Sequence, residues 1–126
     1  MGALQHSSSE PAASPTLTKA VVRAAGFLGL SQAALAQVLG VSGATASRLI
    51  SGSYTLQPSR RREWEFALLF LRLFRSLQAI VGNDRDAQLW LRNPNLALGA
   101  PPLDLIGSAE GLVRVLNYLD ASRGRI

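Results

Sequence analysis

Leu17, Val21, Ala24, Ala25 and Leu28 recur at helical spacing and predict a first helix. Ser14-Pro15 is suited to open it, a capping serine followed by a proline in the first turn, and Gly29 to end it. Residues 1–15 are rich in Ser, Ala and Pro, offer little to bury, and predict a flexible tail carrying His6. From Ser31 to Gly52 the pattern tightens. Ser31 suits an N-cap, and Leu35, Ala36 and Leu39 share one helix face. Gly40 permits a left-handed turn, Val41 is an apolar plug, and Ser42 caps a second helix that buries Ala46, Leu49 and Ile50 before Gly52 ends it.

A loop around Tyr54 and Pro58 follows, and Ser59 is placed to cap a helix over about 59–81. That helix carries Trp64, Phe66, Ala67, Leu68, Leu69, Phe70, Leu71, Leu73, Phe74, Leu77, Ile80 and Val81, more than one apolar stripe. It is therefore either central to the fold or packed on a second copy, with Trp64, Leu68, Leu71 and Phe74 as dimer or core residues. Gly82-Asn83-Asp84 breaks it, and Asp84 caps a short helix through Trp90 and Leu91. Pro94, Gly99, Pro101 and Pro102 forbid a continuous helix beyond, yet Leu96, Leu98, Leu103, Leu105 and Ile106 demand burial. An ordered, packed loop is the expectation. Ser108 caps the last helix, whose stripe is Leu112, Val115, Leu116 and Leu119.

Composition narrows what these helices do. A chain of 126 residues, 48% hydrophobic and 17% charged, makes one domain or two very small ones sharing a core. With no cysteine and one histidine, thiol nucleophiles, Cys-based clusters and multi-His metal sites are excluded, and no cofactor is expected. The run Phe66–Leu71 is far short of the roughly 20 residues of a membrane span. The N-terminus shows no signal-peptide pattern, so a cytoplasmic protein without a membrane partner is expected. Thirteen basic residues face eight acidic ones, for a net charge of +5, and twelve of the thirteen are arginine. Arginine suits bidentate contacts to phosphate, so nucleic acid is the natural partner of such a domain. An enzyme is not indicated: paired carboxylates with a supporting base and a phosphate-binding Gly-rich loop are missing, and Ser31, Ser42 and Ser108 read as caps. No small-molecule substrate of its own is expected.

The order small residue, glycine, apolar plug and cap in residues 36–42 is that of a helix-turn-helix. Residues 16–57 resemble the Xre-type helix-turn-helix of phage-repressor-like proteins. The resemblance implies that the second helix of the pair enters the major groove. Ser42, Gly43, Ala44, Thr45, Ser47 and Arg48 would then face DNA, and Gln32 would hold a phosphate or brace a base contact. Gly43 and Ala44 stand where that family usually places longer polar side chains. Ala44 is left to touch a thymine methyl, and Thr45 or Arg48 to read base edges. Arg60, Arg61 and Arg62 follow at a helix N-terminus, where three cations oppose the macrodipole. They either meet phosphates or form a solvated basic turn.

In the second half, Trp90-Leu91 is followed by Asn93-Pro94-Asn95-Leu96-Ala97-Leu98-Gly99, by Pro102-Leu103-Asp104-Leu105-Ile106, and by the helix after Ser108. This arrangement resembles the toxin-binding domain of Xre/MbcA/ParS-type antitoxins. Residues 16–126 as a whole are thus similar to the antitoxin of a bacterial toxin–antitoxin pair. The resemblance implies a cognate toxin with a RES domain, which consumes NAD or transfers ADP-ribose from it. It implies that the C-terminal half covers the toxin's active site, while the N-terminal half binds the operator DNA of its own operon as a homodimer. Candidate toxin-binding residues are Arg92, Asn93, Pro94, Asn95, Leu98, Gly99, Pro102, Arg114, Arg123 and Arg125, the arginines being suited to a site built for a phosphorylated dinucleotide. Against this, Asn93, Pro94, Gly99 and Asp104 also suit the turns of their own loop, and Leu103 and Leu105 suit the core.

The expectation is an all-α protein: tail 1–15, a helix-turn-helix domain over 16–76 with most of the long helix, and a toxin-binding unit over 77–126. Two other functions fit the same residues. One is a stand-alone repressor whose C-terminal half only dimerises. The other is an interaction module that no longer binds DNA, which the short side chains of Gly43 and Ala44 would favour.

Overall fold

The computed structural model describes the backbone of residues 2–124 and the side chains of residues 13–124. Seven helices and no strand are found among the described residues. They are α1 (Gly2–Phe27), α2 (Gln32–Leu39), α3 (Gly43–Ser51), α4 (Arg61–Val81), α5 (Asp84–Arg92), α6 (Pro102–Leu105) and α7 (Ala109–Gly124). The all-α expectation holds. Among the described residues, no single helix is long and apolar enough to cross a membrane.

Helix α4 is the axis of the molecule and packs against α1, α2, α5 and, most extensively, α7. Its surplus of apolar side chains is explained by these four neighbours. Phe70, Leu73 and Leu77 are fully buried, while Leu68 remains 45% exposed. One continuous apolar cluster joins Val21 and Leu28 of α1, Leu35 and Leu39 of α2, Leu49 of α3, Leu91 of α5 and Leu116 of α7. Full burial of each large apolar side chain contributes about 1.5–3 kcal/mol. Phe27 and Phe74 meet edge to face at 5.2 Å and 81°, closing the seam between α1 and α4.

The helix starts differ from the sequence expectations in three places. α1 begins at Gly2, so Ser14 and Pro15 lie inside a helix, and the flexible tail expected over 1–15 has helical backbone from residue 2. Ser14 is buried, and the Thr18 hydroxyl donates to its carbonyl at 2.6 Å and accepts from Leu56 N–H at 3.0 Å, tying the loop after α3 to α1. α4 starts at Arg61 without a side-chain cap, so Ser59 does not cap it. α5 is capped by Asn83, one residue before the expected Asp84: the Asn83 side chain accepts from Asp86 N–H at 2.8 Å. Asn leads the N-cap ranking because its carbonyl reaches the free amides two to three residues on.

Burial also departs from expectation at two apolar positions. Ile50, expected in the core, is 50% exposed at the end of α3, and Leu96, expected to be covered, is 101% exposed. Elsewhere the loop between α5 and α7 is ordered and packed as expected, with Leu98 and Ile106 buried and Leu103 and Leu105 half-buried. Ser108 caps α7 by accepting from Gly111 N–H at 3.1 Å. Gly111 is buried where α7 crosses α6, and a Cβ there would lie 1.8 Å from the Leu105 carbonyl oxygen. Only glycine lets the two backbones approach so closely. The His6 side chain, Arg125 and Ile126 lie outside the described residues.

Candidate functional site

The sharpest local geometry lies between Ser31 and Gly52. Ser31 opens α2 by accepting from Ala34 N–H at 3.1 Å. Gly40 closes it in the left-handed conformation, φ 68°, with Gly40 N–H bonded to Gln37 O and Val41 N–H to Ala36 O. This pair of bonds satisfies carbonyls that α2 would otherwise leave open. Ser42 then caps α3, its hydroxyl accepting from Thr45 N–H at 3.0 Å. The two helices meet at 109°, within the range of a helix-turn-helix. Ala46 and Leu49 are buried beneath α3, while Gly43, Ala44, Ser47 and Arg48 face outward and Thr45 is half-buried.

Two side chains hold this surface in place. Gln32 donates its amide N–H to the Gly43 carbonyl at 3.1 Å, so it anchors the first turn of α3 from the start of α2. Its amide nitrogen is thus engaged within the chain, at the turn that leads into α3. Arg48 reaches back to Thr45 Oγ1 at 3.4 Å, and Thr45 Oγ1 also receives the Ser42 hydroxyl at 3.0 Å.

The three arginines at the start of α4 separate in role. Arg60 turns onto Tyr54, donating to its hydroxyl with the guanidinium carbon 5.1 Å from the ring centroid. The Tyr54 hydroxyl in turn donates to Glu63. Burial raises the Tyr54 pKa above its ordinary value and the Glu63 carboxylate raises it further, so the phenol keeps its proton. Arg62 lies over the Phe66 ring at 5.6 Å. A Cβ on Gly40 would come 3.2 Å from that ring and 3.8 Å from Arg62 Nε, which puts Arg62 beside the turn into α3. Arg61 and Arg62 are exposed. An exposed helix N-terminus, small outward side chains and neighbouring arginines together make a surface that a phosphate backbone can approach closely.

The C-terminal residues singled out by sequence differ in burial and in what they touch. Arg92 points back to the first half of the chain, donating to Leu28 O at 3.4 Å and Gly29 O at 2.7 Å. Leu98 and Pro102 are buried, so they are corrected from partner contacts to supports of the loop. Asn95 also serves the loop: its side chain accepts from Leu98 N–H at 3.1 Å and its carbonyl accepts from Gly99 N–H at 2.8 Å. Asn93, Pro94, Gly99 and Arg114 are exposed. Arg123 donates to the buried Ser76 hydroxyl at 3.1 Å, and that hydroxyl donates to Asp120 at 2.8 Å. Arg125 is beyond the described residues.

Comparison with known families decides what this pairing of units is. Residues 8–72 match the antitoxin Xre-like helix-turn-helix domain, and residues 76–125 match the antitoxin Xre/MbcA/ParS C-terminal toxin-binding domain. The chain is an Xre-type antitoxin. No curated protein matches it. Both matched domains are binding domains, one for DNA and one for a toxin.

The antitoxin has functional features that the sequence did not single out. Gln88 donates to Phe27 O at 3.0 Å beside Arg92, so two side chains of α5 hold the end of α1. Ser76 is a polar residue buried between Leu73 and Leu77, and an apolar helix interrupted in this way was the available signal for its link to Asp120. Between α1 and α4 the antitoxin also has an open apolar groove of about 480 Å³, lined by Leu17, Ala20, Trp64, Leu68 and Leu71. Phe74 lines the neighbouring cavity rather than this groove. Among the described residues, no group of three His, Cys, Asp or Glu side chains is placed to hold a metal ion.

Proposed function

We propose that this antitoxin neutralises a RES-domain toxin, one that consumes NAD or transfers ADP-ribose from it, by seating its C-terminal unit over the toxin's active site. In the same proposal α3 binds operator DNA in the promoter of its own operon, as a homodimer, and represses it. Both events belong to the cytoplasm, where NAD and the promoter are found.

The observation that carries this reading is the shared core. α4 buries Phe70 and Leu77 against helices of both units, so DNA-binding and toxin-binding surfaces are carried by one folded body. The loop at residues 93–99 is held by its own turn and exposes Asn93, Pro94 and Leu96, which supports a partner-facing role for the second half beyond dimerisation. The RES identity of the toxin rests on the family resemblance. For the homodimer, the α1–α4 groove around Leu68 is the favoured contact, since it is apolar and Leu68 is half-exposed within it.

The test is growth of cells in which the reading frame adjacent to this chain's own is induced, with and without the full antitoxin, while cellular NAD is followed. Arrested growth with falling NAD, both restored by the antitoxin, supports the proposal. A harmless neighbour, together with repression of the promoter by this chain, leaves the stand-alone repressor instead.

A further inference from the structure

Four large apolar side chains on the surface, Ile50, Leu68, Leu89 and Val113, are 40–50% exposed, which leaves each half-covered by its own chain. Leu96 is different. At 101% exposure its side chain touches nothing in the molecule. Single exposed leucines are common on protein surfaces, and what matters here is how this one is held.

The backbone around Leu96 is fixed on both sides. Asn93 N–H closes α5 by bonding to Leu89 O at 2.9 Å, and Pro94 has a restricted φ. Asn95 then makes a local turn, its side chain accepting from Leu98 N–H at 3.1 Å and its carbonyl from Gly99 N–H at 2.8 Å. Leu98 plugs the loop into the core at 4% exposure. Two residues apart, one leucine anchors the loop and the other projects from it. A knob on a pre-ordered loop loses little conformational freedom when a partner covers it, which is the condition for a strong contact of small area.

We infer that Leu96 is the apolar anchor of the toxin interface, inserting into an apolar pocket on the toxin. The inference rests on the proposed toxin-binding function, and commits to a protein partner because the loop lies within residues 76–125, the segment matched to a toxin-binding domain. The neighbouring exposed Asn93 and Pro94 form the polar and rigid rim that keeps water from the contact. Arg92, engaged with Leu28 and Gly29, is left to position α5 rather than to reach the toxin.

The test uses the full antitoxin and the purified product of the adjacent reading frame, with affinity measured by calorimetry. Leu96→Asp is expected to weaken the complex at least thirtyfold, about 2 kcal/mol, the size of an interface hot spot. Leu96→Met is expected to stay within threefold of the parent, because it preserves the apolar volume. Both variants are expected to melt with the parent and to bind promoter DNA unchanged, since Leu96 touches nothing in the fold. A Leu96→Asp complex within threefold of the parent overturns the inference and leaves the toxin-binding function standing. Failure of the parent to bind overturns both.

Discussion

Arg92 donates a 2.7 Å hydrogen bond to the carbonyl oxygen of Gly29. The two residues are 63 positions apart and belong to the two different family matches. A cation at the C-terminal end of α1 answers the open carbonyls and the negative end of the helix dipole. The antitoxin's C-terminal unit thereby caps the helix that leads into its own helix-turn-helix. Arg92→Ala is expected to destabilise the protein by about 1 kcal/mol, the net worth of a hydrogen bond to partly solvated carbonyls. Arg92→Lys should recover part of this. Urea unfolding measures both, and an Arg92→Ala variant as stable as the parent would contradict the role.

On the proposed DNA surface, Arg48 is the longest side chain that α3 projects. Arg48→Ala is expected to reduce operator affinity by about 1–3 kcal/mol if it reads a base edge, with discrimination lost at one position. Arg61→Ala and Arg62→Ala should instead weaken all sequences alike and reduce the log–log salt slope by about 0.9 each. Fluorescence anisotropy at several salt concentrations separates the two behaviours. A flat salt response would count against phosphate binding by these arginines.

Tyr54 contributes to stability against alkali. Its folded pKa lies above the unfolded value, through burial first and the Glu63 hydrogen bond second. The folded state therefore holds the phenolic proton more tightly. The stability this contributes is complete below the unfolded pKa of about 10 and disappears as pH rises through the folded one. Tyr54→Phe removes the group, so the loss of stability between pH 9 and 12 should be shallower than in the parent. Unfolding free energies across that range decide the point.

Leu68 reports on assembly. Leu68→Glu places a charge in the α1–α4 groove but disturbs little of the monomer, because the side chain is already 45% exposed. Sedimentation is expected to show a monomer in place of the proposed dimer, with the melting temperature of the isolated chain little changed. A dimer of unchanged affinity would place the interface elsewhere.

The elements legible in sequence were those whose signals are local. The Ser31 and Ser42 caps, the left-handed Gly40 and the buried pair Ala46 and Leu49 follow from neighbours within a turn or two, and all are found. Expectations that depended on distant partners fared differently. Arg92 suits a partner's phosphate by residue type alone; besides the Gln88 carbonyl one turn back, its acceptors at Leu28 and Gly29 are 64 and 63 positions away and exist only in the folded chain. Leu96 and Leu98 have the same composition and nearly the same position. Only the turn at Asn95 decides that one goes in and the other out. Ser14-Pro15 has the form of a helix start, but the helix runs through it, with buried Ser14 accepting from Thr18. A start signal raises the odds of a boundary without excluding backbone continuing past it.

The central claim is that this chain blocks the chemistry of its toxin by direct coverage. The most direct measurement is NAD turnover by the purified product of the adjacent reading frame, titrated with the full antitoxin at a protein concentration well above their Kd. The account predicts that turnover falls linearly and reaches zero at a fixed stoichiometric ratio. Turnover that stays undiminished with the antitoxin in excess, while the same preparation still binds promoter DNA, would contradict it.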